Sequence, residues 1–245
     1  MIRWILALAV LSGTLSASKS NAATGLNLAW NDCGAHGSYI ESFACDVNTG
    51  VSVLVASFAA PAGVDSLAGV EAVIDALSES TTVPSWWQFQ SAGACRQSAL
   101  SVSFNAASPP TSCADYWNGQ AAGGLIYTAP FSGIARRARI RVVAAVPPEQ
   151  AGPVFAGTEY TAFTLTLSHA KSTGAGACPG CATSMCMLLL NVNLSQYRDP
   201  PGSGDVLLTQ SLNNNLVLWQ NGFFPNGCYV ATRTTSWGQI QQLYR

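Results

Sequence analysis

Residues 161–169, TAFTLTLSH, carry the clearest alternation of apolar and polar side chains in this chain. Phe163, Leu165 and Leu167 occupy every second position, and threonine or serine fills the positions that follow each of them. Successive side chains of a β-strand point to opposite faces of a sheet, so this period of two predicts a strand with one face in a core. The stretch therefore indicates a protein built from half-buried strands.

Similar strand-like runs recur along the chain, separated by breaks rich in glycine, proline, serine and asparagine. They cover 51–59, 99–105, 124–129, 138–146, 187–196, 205–212 and 215–220. Many short strands with such turns between them are typical of two packed sheets. We therefore predict an all-β fold, a β-sandwich of the jelly-roll or Ig-like type. The last two runs are expected to form a pair around Asn213 and Asn214.

Two segments also show a helical period. In 65–80, the apolar residues fit helical spacing, but the run VEAVIDAL alternates as well. We favour a short helical turn at 64–68 followed by a strand. In the last stretch, 237–245, Trp237, Ile240 and Tyr244 lie three and four positions apart. This spacing predicts a short C-terminal amphipathic helix docked on the body.

The chain divides into three segments. Arg3 precedes an apolar stretch at 4–10 that is too short to cross about 30 Å of hydrocarbon, and small residues then lead to Ala22. We therefore assign 1–22 as a secretory signal peptide and predict a secreted protein, extracellular or periplasmic, with no membrane span in the mature chain. The proline and glycine cluster at 200–204 separates a β-sandwich body, 23–197, from a C-terminal extension, 198–245, packed on that body.

The charge balance argues against nucleic acid as a partner. Without Arg3 and Lys19, nine basic residues face twelve acidic ones, which gives a net charge of −3. Charged residues are 9% of the chain, against about 25% in an average domain. A nucleic-acid-binding protein would need a basic surface instead.

Eight cysteines follow the signal peptide, and an even number in an oxidising compartment predicts disulfides. Their proximity in the sequence suggests the pairs Cys33–Cys45 and Cys95–Cys113. The remaining pairing is open, and one bridge is expected to reach Cys228 and tie the C-terminal segment to the body. The eight candidates are Cys33, Cys45, Cys95, Cys113, Cys178, Cys181, Cys186 and Cys228.

The stretch CPGCATSMC at 178–186 has three readings. A redox CxxC opens a helix in a thioredoxin-like unit, and a four-thiolate zinc site needs a second CxxC. Here the stretch lies between two predicted strands, and Cys228 is the remaining cysteine beyond it. We favour a compact loop pinned by one or two disulfides over zinc or redox chemistry.

No catalytic motif is visible. The chain lacks G-x-S-x-G, HExxH, a P-loop and G-x-G-x-x-G. His36 lies in a glycine-flanked loop, and His169 is read as a strand-end histidine at the rim of the core. A calcium loop starting at Asp46 fails because its twelfth position is Ser57. We predict no catalytic residue, no metal site and no cofactor.

Two adjacent aromatic pairs are the first candidate ligand-binding residues: Trp86 with Trp87, and Tyr116 with Trp117. If each pair lies on a strand, one ring is buried and its neighbour is free to stack on a sugar. The alternative is that all four rings pack inside the protein.

An arginine stripe is the second candidate. Arg137, Arg139 and Arg141 share one face of the strand predicted at 138–146, about 6.7 Å apart. They would bind the carboxylates of an anionic polymer. The alternative is a solvated face in which acidic residues on a neighbouring strand pair with the arginines.

Two resemblances extend these observations. The layout LNLAWNDCG, FACD, VPSWWQF, GACRQSALS, CADYWNGQAAGG and CPGC, with a terminal WGQIQQLYR, resembles uncharacterised secreted bacterial cysteine-containing β-sandwich proteins. That resemblance implies no activity. The strand VEAVIDAL, the glycine-rich turn before LIYTA and the AFTLTL strand resemble, more weakly, cohesin-like and carbohydrate-binding jelly rolls. No binding residue is carried over from either set.

Taken together, the sequence favours a non-catalytic extracellular recognition or structural module whose partner is a polysaccharide or a surface protein. The alternative is a secreted, glycosidase-like hydrolase whose acid pair, for example Glu71 with Asp75, has no recognisable spacing. A third reading is assembly into a surface layer through exposed strand edges.

Overall fold

The structure is a computed structural model that describes residues 23–106, 111–220 and 228. The regular secondary structure of the described residues is almost entirely strand. These are β1 Gly25–Trp30, β2 Ile40–Glu41, β3 Val51–Ala59, β4 Leu67–Ser78, β5 Leu100–Ser103, β6 Ala122–Thr128, β7 Arg137–Ala145, β8 Glu159–Ser168, β9 Met185–Gln196, β10 Val206–Leu208 and β11 Leu216–Trp219. Three single-turn 3-10 helices join them at Gly34–His36, Ser85–Trp87 and Pro148–Gln150.

The strands form two sheets. The smaller sheet has the order β1-β3-β8-β5, and the TAFTLTLS stretch is its central strand β8. The larger sheet has the order β2-β11-β9-β4-β7-β6, and β10 adds to β9. All neighbours are antiparallel except β2 and β11, which are parallel.

One hydrophobic core contains side chains of both sheets. Leu54 and Leu165 of the smaller sheet are fully buried in the same cluster as Ile74 and Val142 of the larger one. The apolar side chains at alternate positions therefore point from both sheets into one shared core, as a sandwich requires. This confirms a β-sandwich-like all-β fold.

The ambiguous segment at 65–80 is a strand. β4 runs for twelve residues and pairs with β7 on one side and β9 on the other. Gly69 is needed there because a Cβ would lie 2.6 Å from the carbonyl oxygen of Ala144. The helical turn predicted at 64–68 is wrong: these residues are extended or bent, and the backbone of Leu67 and Val64 bonds instead to 152–154.

The two C-terminal runs also differ from their prediction. β10 and β11 do not pair with each other, because each pairs with a different part of β9. Trp219 of β11 is fully buried in the shared core. The predicted signal peptide at 1–22 and the predicted amphipathic helix at 237–245 lie outside the described residues. None of the described helices is long and apolar enough to cross a membrane.

The four disulfides connect distant segments. The bonds are Cys33–Cys113, Cys45–Cys181, Cys95–Cys178 and Cys186–Cys228. The predicted pairs Cys33–Cys45 and Cys95–Cys113 are therefore wrong, because the cysteines that meet in space are separated by 80 and 83 residues. The bridge to Cys228 is confirmed. Four disulfides indicate a non-cytoplasmic compartment.

The CPGCATSMC stretch is consequently a covalent junction. Cys178, Cys181 and Cys186 belong to three different bridges, not to one or two. Cys178 and Cys181 tie the loop before β9 to two other loops, and Cys186 lies on β9 itself. The stretch thereby fixes where residues 45 and 95 stand relative to the larger sheet.

Candidate functional site

The structure buries the tryptophans that the sequence singled out. Trp86, Trp87 and Trp117 are exposed by 0%, 2% and 1%. Trp86 and Trp87 lie in a 3-10 helix, not a strand, so the rule that neighbours point to opposite faces does not apply. Both rings pack on Trp219, at centroid distances of 5.2 and 5.4 Å. None of the three offers a face for stacking.

The fourth ring, Tyr116, is half-buried and held by its hydroxyl group. The hydroxyl donates to the carbonyl oxygens of Leu67 and Gly152 and accepts from the backbone N–H of Gly152. The ring also packs on Trp117, at a centroid distance of 5.1 Å. Tyr116 therefore fastens a loop to the start of β4.

The arginine stripe lies on the outer face of the larger sheet, and its three arginines pair with two carboxylates of β4. Arg137 and Arg139 both bind Asp75, whose side chain is fully buried, and Arg139 does so through two hydrogen bonds of 2.7 and 3.0 Å. Arg141 pairs with Glu71. The structure thus shows the acidic cross-strand partners of the alternative interpretation. It also shows Glu71 and Asp75, the acid pair considered for a hydrolase, engaged in ion pairs.

A different arginine, Arg96, has no such partner. It follows Cys95 in the loop before β5 and is exposed by 2%. Its guanidinium lies 3.4 Å from the centroid of the Trp86 ring. One nitrogen, Nη1, donates to the carbonyl oxygen of Trp86 at 2.6 Å, and Nη2 donates to that of Ser168. Among the described residues, no carboxylate forms an ion pair with it.

The charge of Arg96 is poorly compensated in this position. A guanidinium has five N–H donors, and two nitrogens of Arg96 bind neutral carbonyl groups while Nε has no partner in the described part of the chain. Burial lowers the pKa of Arg96 to about 9. Removing a charge from water without an opposite charge costs several kcal/mol, so this site favours an added anion.

Arg96 and Lys171 line one cavity of about 240 Å³. Residues 94–99 form one wall, and Ser168, Ala170 and Lys171 form the other. The bond Cys95–Cys178 anchors the first wall. None of the lining residues is acidic. Two cationic residues that line one cavity suit a carboxylate, sulfate or phosphate group.

Lys171 is held by a hydrogen bond to the backbone of Cys95, and its own backbone is left-handed. Its Nζ donates to the carbonyl oxygen of Cys95 at 2.7 Å, which leaves two N–H donors for a ligand. Its φ is 60°, in the left-handed region that costs a non-glycine residue about 1–3 kcal/mol. Lys171 is the single lysine outside 1–22, and it lines this cavity in a backbone conformation that lowers stability.

His169, Ser52 and Glu41 form a hydrogen-bonded group next to the cavity. The hydroxyl group of Ser52 donates to Glu41 at 3.0 Å, and Nε2 of His169 lies 2.9 Å from the same hydroxyl group. Burial lowers the pKa of His169, and the charge of Arg96 lowers it further. This is not a nucleophilic triad, because the serine is 1% exposed and stands between the acid and the imidazole.

Sequence reasoning identified neither Arg96 nor Lys171 as a site residue. Arg96 stands beside Cys95 in the quoted segment GACRQSALS, and Lys171 follows the TAFTLTLSH strand. Their sequence positions differ by 75 residues, so no local spacing links them. Within the described residues, no group of three His, Cys, Asp or Glu side chains suits a metal ion.

Comparisons with known proteins assign this chain to no family. No protein-family model and no curated protein matches the chain in sequence. Among solved structures, a cohesin module from a Clostridium perfringens family 33 glycoside hydrolase is similar with a TM-score of 0.32 and 6% sequence identity. The alignment covers 80% of this chain and 93% of that module.

Proposed function

We propose that this protein is a non-catalytic recognition module of an oxidising compartment, and that it binds the carboxylate of an acidic polysaccharide in the Arg96 cavity. The observation that carries the proposal is that Arg96, a residue only 2% exposed and without a carboxylate partner among the described residues, lines a cavity together with Lys171. The disulfide Cys95–Cys178 anchors one wall of that cavity.

Charge compensation supplies the affinity. Arg96 is already desolvated in the folded protein, so a ligand carboxylate gains the attraction without a new penalty for burying the arginine. Lys171 adds a second cation on the opposite wall. Charge-assisted hydrogen bonds of this kind are roughly twice as strong as neutral ones.

The size of the cavity limits what enters it. Small-molecule sites usually have about 300–1,000 Å³, and this cavity of about 240 Å³ lies just below that range. One acidic sugar ring or its carboxylate arm therefore fits, while the rest of a polymer stays outside. The exposed side chains of Gln97 and Ser98 at the wall are available to bind hydroxyl groups of that ring.

Calorimetric titration tests the proposal with oligogalacturonate, neutral galacto-oligosaccharide of equal length, sulfate and phosphate. We expect binding of the uronate that weakens as salt is added and no binding of the neutral sugar. Sulfate and phosphate distinguish a general anion site from one that selects carboxylates. If the uronate does not bind, or if the neutral sugar binds equally well, the proposal fails.

Two variants locate the binding. Lys171→Asn removes the charge, and asparagine tolerates a left-handed backbone, so the fold should persist while affinity falls at least about tenfold. Arg198→Gln is the matched control, since Arg198 is a surface cation paired with Asp65 and does not line the cavity. Equal losses in both variants would show that the attraction is not specific to this cavity.

A further inference from the structure

The second feature that needs an explanation is the free edge of the larger sheet. β6 pairs with β7 on one side, and no described strand pairs with its other side. Its seven residues, AGGLIYT, include no charge and no proline. Ile126 is 63% exposed, and Val143 beside it on β7 is 49% exposed. The opposite edge of the same sheet is β2, which has two residues.

Such an edge is unusual for a protein that works alone. A terminal strand presents unpaired N–H and C=O groups, and natural proteins protect it with charges, proline, bulges or shortness. β6 has none of these devices. It is long enough for a second strand to form a continuous ladder along it.

No contact in the described part of the chain requires a glycine at position 124, in the middle of β6. A Cβ there would meet none of the described atoms within 4 Å, and the backbone is outside the left-handed region. Its neighbour Gly123 is different, because a Cβ there would collide with the carbonyl oxygen of Val143. A glycine inside a strand costs about 0.5–1 kcal/mol relative to alanine. The open notch at Gly124 therefore points to an atom group supplied from outside.

A second copy of β6 supplies that group. If two β6 strands pair antiparallel about Leu125, Ile126 of each lies opposite Gly124 of the other. Directly opposed residues are about 5 Å apart, so each isoleucine enters the notch and reaches Val143, which is the partner of Gly124 on β7. This pairing would bury the exposed Ile126 in the space that Gly124, having no side chain, leaves open.

We infer that two copies of this chain associate through β6, in an antiparallel pairing centred on Leu125 that joins their larger sheets into one. Two copies related in this way form a closed, two-fold symmetric contact. The inference is independent of the Arg96 cavity, which lies between the loop before β5 and the loop after β8.

Sedimentation velocity of the purified protein from about 1 µM to about 1 mM tests the association. The wild type should shift from monomer to dimer within this range. Gly124→Val should remain monomeric, because valine fills the notch, and should unfold at the same or a higher denaturant concentration. Ile126→Lys should also remain monomeric. Leu207→Lys is the control, since Leu207 is 61% exposed on β10 and lies away from β6.

A cross-link reports the register directly. Leu125→Cys places two thiols at the two-fold axis, so oxidation should yield a covalent dimer on a non-reducing gel, whereas Leu207→Cys should yield far less. A wild type that stays monomeric to about 1 mM would overturn the inference. So would a Gly124→Val variant that dimerises like the wild type, which would place the contact on another surface.

Discussion

Two arginine sites in this molecule differ in whether a carboxylate of the described residues pairs with the arginine. On the larger sheet, Arg137 and Arg139 share the fully buried Asp75. In the loop before β5, Arg96 is 2% exposed, lies over the Trp86 ring and donates to two carbonyl oxygens, with no ion pair among the described residues. At the first site, a carboxylate compensates part of the positive charge within the fold. The second keeps an uncompensated charge beside a cavity, and that difference separates a structural cluster from a candidate binding site.

The two sites also have different backbones. The Asp75 cluster lies on β4 and β7, which are adjacent in the larger sheet, and their register places Asp75 opposite Arg139. The Arg96 site is built from loops, joined by the disulfide Cys95–Cys178. Regular pairing positions the first site, and a covalent bond positions the second. This arrangement is common for binding sites, which lie on loops held by a rigid scaffold.

The largest effect is expected from removing the carboxylate of the Asp75 cluster. Asp75→Asn removes the fully buried carboxylate that binds the partly exposed Arg137 and Arg139, and we expect a loss of about 3 kcal/mol in the free energy of unfolding. Urea denaturation of the oxidised protein measures it. Glu71→Gln is the control: its pair with Arg141 is more exposed, so the loss should stay below about 1 kcal/mol. Equal losses would contradict the contrast between buried and exposed pairs.

The next effect, of similar size, concerns the covalent frame of the Arg96 site. Replacing Cys95 and Cys178 by serine removes a bridge between residues 83 positions apart. We expect a loss of about 3 kcal/mol in the free energy of unfolding, together with the loss of uronate binding. Replacing Cys186 and Cys228 is the control, because that bridge does not line the cavity. Binding that survives removal of Cys95–Cys178 would show that the cavity is not held by its disulfide.

Neutralising the unpaired arginine should cost little stability. Arg96→Met leaves the carbonyl oxygens of Trp86 and Ser168 without a donor, but it also removes the burial of a charge. These terms oppose each other, so we expect the free energy of unfolding to fall by about 1 kcal/mol or less. Uronate binding should nevertheless disappear in calorimetry. A loss of stability as large as that of Asp75→Asn would make Arg96 a structural residue.

The sandwich could be predicted from the sequence because apolar and polar residues alternate along several of its strands. The strands β7 and β8 follow directly from apolar and polar residues at every second position, and β3 follows from a short run that is apolar on both faces. β1 was not predicted, although all six of its residues are buried. Its polar residue Asn27 reads as a surface position, but it is 1% exposed and bonds to Glu159 and to the backbone of 213–214.

The candidate site was not predictable for a different reason. Arg96 looks like any surface arginine until Cys95 is known to pair with Cys178, and eight cysteines allow 105 pairings. The arginine stripe looked more promising because three charges stand at a regular spacing. Its partners Asp75 and Glu71 lie on another strand, and only the register of β4 and β7 brings them together.

The smallest expected effect is on the pKa of His169, which reports the charge of Arg96. Burial is the main reason that its pKa lies below 6.5, and the positive charge of Arg96 contributes in the same direction. Both Arg96→Met and a bound uronate reduce that charge, so each should raise the pKa of His169 in an NMR titration. The chain contains two histidines, and the exposed His36 serves as the internal control.

The same titration predicts a change in stability with pH. Because the folded-state pKa of His169 is below its unfolded value, protonation favours unfolding, and stability is lost as the pH falls below about 6.5. Arg96→Met should therefore lose less stability than the wild type between about pH 7 and pH 5, as measured by urea denaturation. If the pKa of His169 stays unchanged both in Arg96→Met and on uronate binding, the charge of Arg96 is already compensated in solution. The contrast with the Asp75 cluster would then disappear.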